Sequence, residues 1–379
     1  MKHTRILFAL IIATASLLTA CHHSGTSTIT DSVSQDEMAA IYETVKTPYK
    51  YGLVIAPQEG PASHHMMDSP TVFSIDGKWY MTYIVFDSIG YETCIATSDD
   101  LLHWTTIQTI LARKDAGWDR SQVAGYAALV DIEWGGTYEL EAYNNLYWMT
   151  YLGGEQAGYE TRPLSIGMAV AEPSSNLMSW RTFEAPVLSP KDSGAQWFEK
   201  ETQYKSAVFR DKQRHFGHDF VMFYNAYGYN PKNGIGAERI GIALSDNMTD
   251  WTRYDGNPVV AHEEEGTISG DAHIQKIGDL YVMFYFRAFN PDRPYKAYNT
   301  FACSRDLVHW YDWQGDDLIY PTEDYDARYA HKSYLVNHNG ITYHYYCAVN
   351  NKGQRAIAVA TSKDLGKSEI TFPNIERAN

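Results

Sequence analysis

The sequence predicts an all-β protein, a five-bladed β-propeller in which each blade is a four-stranded antiparallel sheet. Two observations carry this prediction. A short segment, usually ending in tryptophan, recurs along the chain, and each copy follows the same order of strand-like runs. Repeated units of this kind are typical of a propeller or a solenoid. Long, variable loops between the second and third strands favour blades over the stacked coils of a solenoid.

The recurring segment has the order Ser-x-Asp-Leu-x-x-Trp, with conservative changes. Its clear copies occupy residues 98–104, 245–251 and 304–310, a truncated copy occupies 362–365, and a degenerate copy runs from Ala171 to Trp180. We expect the acidic residues inside these copies to be turn residues of the blades, without a catalytic role.

Each unit continues this pattern with a strand, a hairpin turn, a second strand, a longer loop, a third strand and an outer fourth strand. Asp76-Gly77 and Asn339-Gly340 separate alternating apolar runs in the first and fifth units, which is the strongest short hairpin signal. Ahead of the first unit, we expect residues 35–45 to form a short helix. Residues 49–55 are predicted to be extended and to help close the ring.

The first residues have the pattern of a secretory signal, which is set apart from the fold. An apolar run at 6–18 follows a basic start and is too short for a stable membrane span. It ends in Leu18-Thr19-Ala20-Cys21, which resembles the bacterial lipobox. The predicted parts are a lipoprotein signal peptide at 1–20, a tether and short N-terminal segment at 21–48, and the propeller at 49–379. Lipidation at Cys21 would attach the protein to a membrane of the cell envelope, in a periplasm-facing or outer-membrane position. An ordinary signal peptide with a chance cysteine is the alternative.

Composition limits the partners. A formal net charge of −15 argues against nucleic acid or an anionic membrane surface. Aromatic residues make up 14% of the sequence, which suits either a carbohydrate site or the packing between blades. Cys94, Cys303 and Cys347 each lie in a strand-like run, so we expect buried free thiols rather than a disulfide framework.

Ionisable side chains stand at the starts of otherwise apolar inner strands, where a buried charge is costly unless it is paired or used. Inner strands run along the axis of a propeller, so their starts should meet at one mouth of the channel. The strand starts are Asp68, Tyr126, Lys205, Asp271 and His331, with His64, His65, Glu201 and His273 beside them. Loops on the same face add polar residues that include Glu92, Glu160, Glu238, Arg239 and Arg287. A strand cap or a pair with Lys205 is the structural alternative for Asp68.

These residues carry a resemblance to a known group of enzymes. Met67-Asp68-Ser69-Pro70-Thr71-Val72-Phe73, Gly77-Lys78-Trp79-Tyr80 and the repeated tryptophan segments are similar to the five-bladed propeller glycoside hydrolases. That group includes family 43, with relatives in families 32, 62, 117 and 130. The resemblance covers nearly all of residues 50–370. It implies that the propeller is a catalytic domain that hydrolyses plant or algal oligosaccharides with inversion. Long loops around a small mouth favour cleavage at the chain ends.

The resemblance also implies roles for single residues. Asp68 matches the general base of family 43, and Asp271 stands where the general acid is expected. Glu201 is the second candidate for the acid. His331 matches a histidine near a central metal ion or water, so a calcium ion in the channel is left open, and no other cofactor is expected. The sugar would be bound by the remaining candidates, which are His64, His65, Glu92, Tyr126, Glu160, Lys205, Arg239, His273, Arg287 and His331.

Two other functions stay open on the sequence, a glycoside phosphorylase and a non-catalytic sugar-binding protein. Lys205 and the residues after it resemble the phosphate-contacting lysine of family 130 mannoside phosphorylases, although blade two lacks their Glu-Asp-Pro-Arg signature. The Asp271-Ala272-His273 start resembles family 117, which cleaves anhydrogalactose from agar fragments. A non-catalytic sugar-binding lipoprotein would use the same pocket without an acid–base pair. An oligosaccharide is the expected partner in every case.

Overall fold

Five four-stranded antiparallel sheets make up most of the computed structural model, which describes residues 32–374. The prediction of a five-bladed propeller is therefore confirmed. The predicted signal peptide, Cys21 and most of the predicted tether lie outside the described residues. Among the helices described, none is long and apolar enough to cross a membrane.

Strand bounds follow the predicted order in every unit. Strand β1 is Tyr49–Ile55. Blade one consists of β2 (Met66–Ile75), β3 (Lys78–Phe86), β4 (Tyr91–Ser98) and β5 (Thr105–Leu111). Blade two consists of β6 (Gln122–Ala127), β7 (Tyr147–Gly154), β8 (Ser165–Ala171) and β9 (Arg181–Thr182). Blade three consists of β10 (Thr202–Arg210), β11 (Phe220–Tyr229), β12 (Gly236–Ser245) and β13 (Thr252–Arg253). Blade four consists of β14 (Ile268–Ile277), β15 (Leu280–Ala288), β16 (Ala297–Ser304) and β17 (Tyr311–Asp312). Blade five has β18 (Tyr329–His338), β19 (Ile341–Val349) and β20 (Arg355–Thr361).

The ring closes through β1, as the sequence predicts. This strand pairs antiparallel with β20 and is the outer strand of blade five. One blade therefore joins the two ends of the propeller. The fourth copy of the tryptophan segment is truncated because β1 supplies the outer strand that this segment introduces in the other blades.

The repeated segments form the same turn in blades one, three and four. In the copy at 304–310, Oγ of Ser304 accepts the N–H of Leu307 at 2.9 Å, and Leu307 takes a left-handed φ of 68°. Nε1 of Trp310 then donates to the carbonyl of Leu307 at 2.9 Å. The degenerate copy ends in the same way, because Nε1 of Trp180 donates to the carbonyl of Leu177 at 2.8 Å. These segments are thus structural corners, as predicted.

A single α-helix, α1 (Gln35–Val45), precedes the ring within residues 32–374, and three short 3-10 helices occupy Gly60–Ala62, Pro173–Ser175 and Trp197–Glu199. A capping box at Ser34 begins α1, because the serine and Glu37 satisfy backbone donors of the first turn. Its apolar face packs on blade four. Part of the predicted N-terminal segment is therefore ordered against the propeller. Cys94, Cys303 and Cys347 are buried free thiols, as expected.

Candidate active site

Four of the five inner strands carry a β-bulge near their start. The pairing registers shift between Asp68 and Thr71, Gln203 and Ser206, Gly270 and His273, and His331 and Tyr334. A bulge inserts an unpaired residue and re-aims the side chains beside it. In three of these bulges the residue that turns takes a left-handed φ, which is 46° at Ser69, 56° at Asp271 and 64° at Lys332.

These bulges correct the alignment of the strand starts. Asp68 corresponds in register to Gln203, Gly270 and His331, whereas Asp271 corresponds to Ser69 and Lys332. The sequence pattern predicted that Asp68, Lys205, Asp271 and His331 occupy equivalent positions. That equivalence is wrong, because each bulge changes which of two or three successive residues points to the axis.

A cavity of about 220 Å³ opens at the mouth of the ring. Seven ionisable side chains from four blades line it, namely Glu160, Lys205, Glu238, Asp271, His331, Lys332 and Arg355. Asn225 and five tyrosines complete its polar lining, and the tyrosines are Tyr91, Tyr126, Tyr159, Tyr204 and Tyr329. Of the residues predicted for the site, Tyr126, Glu160, Lys205, Asp271 and His331 are brought together here.

Backbone strain is concentrated around this cavity. Glu160, Asp271, Phe289 and Lys332 all line it, and all four are non-glycine residues with a left-handed φ between 47° and 64°. Such conformations cost roughly 1–3 kcal/mol each and cluster at binding and catalytic sites. The strain therefore supports this cavity as the functional site independently of its charges.

Glu238 is the carboxyl group best suited to donate a proton. Burial, followed by the negative charge of Glu160, raises the pKa of Glu238 to about 8. Nδ2 of Asn225 donates to its Oε2 at 3.1 Å, which leaves Oε1 to carry the proton. A carboxyl group with this pKa is protonated at neutral pH, as a general acid must be.

Glu160 is a second carboxylate in the same lining as Glu238. It accepts a hydrogen bond from the hydroxyl of Tyr91 at 3.1 Å, and its charge contributes to the raised pKa of Glu238. The two copies of Gly-Tyr-Glu-Thr in the sequence place Tyr91 and Tyr159 in the cavity lining together with Glu160. Glu92, the glutamate of the first copy, lies outside it and accepts the N–H of Arg113 at 3.0 Å.

Asp271 is held by blades one and three. Its backbone N–H donates to Oδ1 of Asn225 at 3.3 Å, and its carboxylate accepts from Oγ of Ser69 at 3.3 Å. Nζ of Lys205 is 3.8 Å away and makes no hydrogen bond to the residues described. Burial lowers the pKa of Lys205 even though Asp271 opposes this. Lys205 therefore has a donor free for a ligand.

Asp68 lies behind the lining rather than in it. Its side chain is 1% exposed, and its Oδ2 is 3.0 Å from Nζ of Lys332 and 2.8 Å from Nη1 of Arg355. Burial alone would raise the pKa of Asp68, but these two cations outweigh burial and hold it well below its ordinary value. The carboxylate is thus a counter-ion for two cavity residues.

The donors around His331 do not suit a calcium ion. Burial lowers the pKa of His331 to about 3, and its Nδ1 faces the carbonyl of Cys347 at 3.2 Å. Lys332 and Arg355 occupy the nearby carboxylate of Asp68, and their charges would repel a divalent cation. Residues 32–374 contain no group of three or more His, Cys, Asp or Glu side chains placed to hold a metal ion.

Glu201 and Arg239 are not where the sequence pattern placed them. The Glu201 side chain is exposed and outside the cavity lining. Arg239 is fully buried and pairs with Glu263 at 3.0 Å, while its guanidinium stacks over Trp197. Both placements are corrections, and for Arg239 the adjacent residue of the same strand takes the inward position.

The remaining candidates also lie outside the lining. His64 and His65 contact each other edge to face in the loop before blade one. Arg287 is 3.9 Å from Glu264. His273 is buried below the cavity, where it stacks on Tyr334 and burial lowers its pKa to about 3. These four residues and Glu92 are therefore outside the cavity lining, and their contact with a sugar stays a prediction.

Two residues of the lining have roles that the sequence did not reveal. Glu238 was expected on this face but without a catalytic role, and Arg355 was not expected here at all. Side chains alternate along a strand, so Glu238 and Arg239 of β12 must point to opposite faces. All ten residues of β12 are buried, so the strand has no exposed face from which the inward direction could be chosen. Arg355 is the first residue of β20, the third strand of blade five. Nothing in the sequence indicated that this strand begins at the mouth.

Comparisons with known proteins agree with this fold. Neither a protein-family profile nor a curated protein matches the sequence. Two solved structures are each 53% identical, with a TM-score of 0.88, and cover 91% of this protein and 100% of their own length. One is described as an RGII complex of BT0996, and the other as a glycoside hydrolase. Zg3597, a family 117 glycoside hydrolase from Zobellia galactanivorans, is 15% identical with a TM-score of 0.61 over 84% of this protein and 91% of its own length. The last likeness concerns the fold alone.

An identity of 53% over the whole length of a solved glycoside hydrolase shows the family of this protein. The carboxyl groups and the strained backbone of the cavity agree with that relationship. This protein belongs to the glycoside hydrolases and is a glycosidase.

Proposed function

We propose that this glycosidase removes single sugar residues from the ends of oligosaccharides of the RGII type, with Glu238 as the general acid. The observation that carries the proposal is the pairing of Glu238 and Glu160 in one cavity, where burial and the charge of Glu160 raise the pKa of Glu238 to about 8. Pairs of carboxyl groups in which one keeps its proton are the usual machinery of glycoside hydrolysis.

The cavity size supports the release of single residues. Its volume of about 220 Å³ is below the roughly 300–1,000 Å³ of pockets that bind drug-sized ligands. One sugar ring fills such a space, and the rest of the oligosaccharide must extend from the mouth. The RGII named with a 53% identical structure fits the sequence-based expectation of a plant oligosaccharide.

Five of the ionisable groups of the cavity have a task in this proposal. Oε1 of Glu238 gives its proton to the glycosidic oxygen as the bond breaks. The Glu160 carboxylate acts on the opposite side of the anomeric carbon, and Nζ of Lys205 donates to a sugar hydroxyl. Lys332 and Arg355, both paired with Asp68, hold the wall near Tyr159. Asp68 then takes a positioning role instead of the base role that the family resemblance implied.

Inversion stays a prediction from the sequence. If Glu160 activates a water molecule, the sugar is released with inverted configuration, whereas direct attack by Glu160 gives retention. Proton NMR of the first-formed anomer distinguishes the two outcomes. A phosphorylase of the family 130 type would require inorganic phosphate for turnover. Lys332 and Arg355 are both bound to Asp68, so neither is left unpaired to bind a phosphate ion. This favours water over phosphate as the acceptor of the sugar.

The deciding experiment measures release of monosaccharide from RGII oligosaccharides by the purified enzyme, in phosphate-free buffer and with phosphate added. Glu238→Gln should lower kcat by about 10²–10⁴-fold, the usual contribution of general acid catalysis. Glu201→Gln is the matched control, because that carboxylate is exposed outside the cavity, and it should turn over like the wild type. Equal losses in both variants, or none in either, would contradict the assignment.

We also propose that the protein is anchored in the cell envelope through Cys21. The lipobox-like Leu-Thr-Ala-Cys sequence supports this. Metabolic labelling with a radioactive fatty acid, compared between the wild type and Cys21→Ser, tests it. A label that persists in the variant would refute lipidation at this residue.

A further inference from the structure

Two aromatic rings stand exposed where the cavity meets solvent. Among the described residues, eight large hydrophobic side chains are exposed, and two of them, Tyr159 at 40% and Phe289 at 46%, line the cavity. They come from the second-to-third loops of blades two and four. Exposed apolar surface at the rim of a pocket commonly marks a binding surface.

Phe289 is held in this exposed position against its own backbone preference. Its φ is 60°, which is a genuine outlier for a bulky residue. A hydrogen bond from its N–H to the carbonyl of Lys296 at 2.7 Å fixes the conformation. The ring edge contacts Tyr329, another residue of the cavity lining, at 6.3 Å between centroids. Burial does not explain the strain, since nearly half of the side chain is exposed.

Tyr159 is also fixed in place. Nη1 of Arg355 donates to its hydroxyl at 2.7 Å, and the guanidinium lies 4.9 Å from the ring centroid. Phe86 and Tyr91 meet the ring edge to face at 5.5 and 5.8 Å between centroids. A ring that is already immobile loses little conformational entropy when a ligand packs on it.

The position of the two rings indicates their ligand. The cavity below them has room for one sugar ring, so the bond to be broken lies at the mouth, and the next sugar must lie beside Tyr159 and Phe289. Sugar rings present C–H groups on one face, and an aromatic ring is a suitable surface for them. We propose that Phe289 and Tyr159 form the subsite that binds the leaving-group sugar, and this inference rests on the proposed function.

The test measures binding in the Glu238→Gln background, where turnover is blocked, by calorimetry with an RGII oligosaccharide. Replacing the ring in Phe289→Gly should weaken the affinity by about tenfold, the scale expected for loss of one aromatic contact. Inhibition of the wild-type and Phe289→Gly enzymes by the released monosaccharide should differ by less than about twofold, because that sugar fills the inner cavity. Phe289→Tyr keeps the ring and should bind like the parent.

Thermal melting separates a binding role from a packing role. Glycine accepts a left-handed φ without strain, so Phe289→Gly should melt above the parent while it binds more weakly. Tyr229→Ala is the matched control, because Tyr229 is 51% exposed but lies outside the cavity lining, and its affinity should not change.

Two results would overturn the subsite. One is unchanged affinity in Phe289→Gly, whatever its melting temperature, and the other is an equal loss of affinity for oligosaccharide and monosaccharide. If the wild type released no sugar from RGII oligosaccharides, the proposed substrate would fail. If binding of the oligosaccharide still depended on Phe289, the subsite would be supported even though RGII oligosaccharides are not the substrate.

Discussion

The carboxylate of Asp68 lies 3.0 Å from the ammonium group of Lys332, and both side chains are buried. The two residues belong to the inner strands of blades one and five, so the pair joins the first and last blades at the axis. Arg355 approaches the same carboxylate oxygen at 2.8 Å. One negative charge therefore pairs with two positive ones beside the active-site cavity.

We predict that Asp68→Asn destabilises the protein. Removing one partner of a buried ion pair leaves an uncompensated charge and typically costs about 3–5 kcal/mol. The free energy of unfolding in urea at pH 7 measures this. The low folded pKa of Asp68 contributes stability above its unfolded value of 3.8, and that contribution is lost as the pH falls through the folded pKa. The difference between variant and wild type should therefore shrink in acid.

The same variant separates a positioning role from a base role. A general base that is not needed for folding would lose turnover and keep its stability, as the family resemblance implies for Asp68. We expect lower stability and partial activity instead. A variant that melted like the wild type with no turnover would restore the base assignment.

The pH dependence of activity should report Glu238. Its raised pKa of about 8 means that the acid is protonated below this pH and loses its proton above it. We therefore expect kcat/KM to fall as the pH rises through about 8. The groups that face Glu238 are Glu160, Asp271 and Arg162, and Asn225 donates a hydrogen bond to it. If the residual activity of Glu238→Gln still fell at the same alkaline pH, that fall would belong to another group.

Glu160→Gln should affect both rate and pH dependence. The variant removes the second carboxylate and also the neighbouring charge that raises the pKa of Glu238. We expect kcat to fall by about 10²-fold or more, and the alkaline limb to move to lower pH. Added azide can replace a missing base or nucleophile and should restore part of the rate. Asp87→Asn, at a carboxylate bound to Arg113 away from the lining, is a suitable control.

The architecture could be predicted because the same sequence pattern recurs in several blades. The site could not, because it depends on the geometry of single residues. Helix α1 and strand β1 were predicted with their observed bounds, since capping and alternation extend over many residues. Bulges are different, because one inserted residue decides whether Asp68 or Ser69 corresponds to Asp271. Likewise, the choice between Glu238 and Arg239 depended on which face of β12 is inward. Such choices are made by packing between blades, which local sequence patterns do not encode.

Arg239 illustrates the consequence of that choice, and we predict that it stabilises blade three rather than binding substrate. Its guanidinium donates to Glu263 and to the carbonyls of Gly228, Ala237 and Ile235. Lysine cannot reproduce this planar set of donors. Arg239→Lys should lower the free energy of unfolding by about 1–3 kcal/mol, the cost of unsatisfied buried polar groups. KM for RGII oligosaccharides should stay unchanged, and a raised KM with normal stability would return Arg239 to the binding site.

The tryptophan segments should contribute to stability independently in each blade. Oγ of the leading serine accepts a backbone N–H at 2.9 Å in blade one, 3.0 Å in blade three and 2.9 Å in blade four. Ser98→Ala, Ser245→Ala and Ser304→Ala should each cost about 1 kcal/mol, the usual worth of one such bond. Since the three turns share no partners, the triple variant should lose the sum of the single losses. Denaturation in urea measures this, and turnover should stay at the wild-type level. A triple variant that lost much more than the sum would indicate that the corners are coupled through the ring.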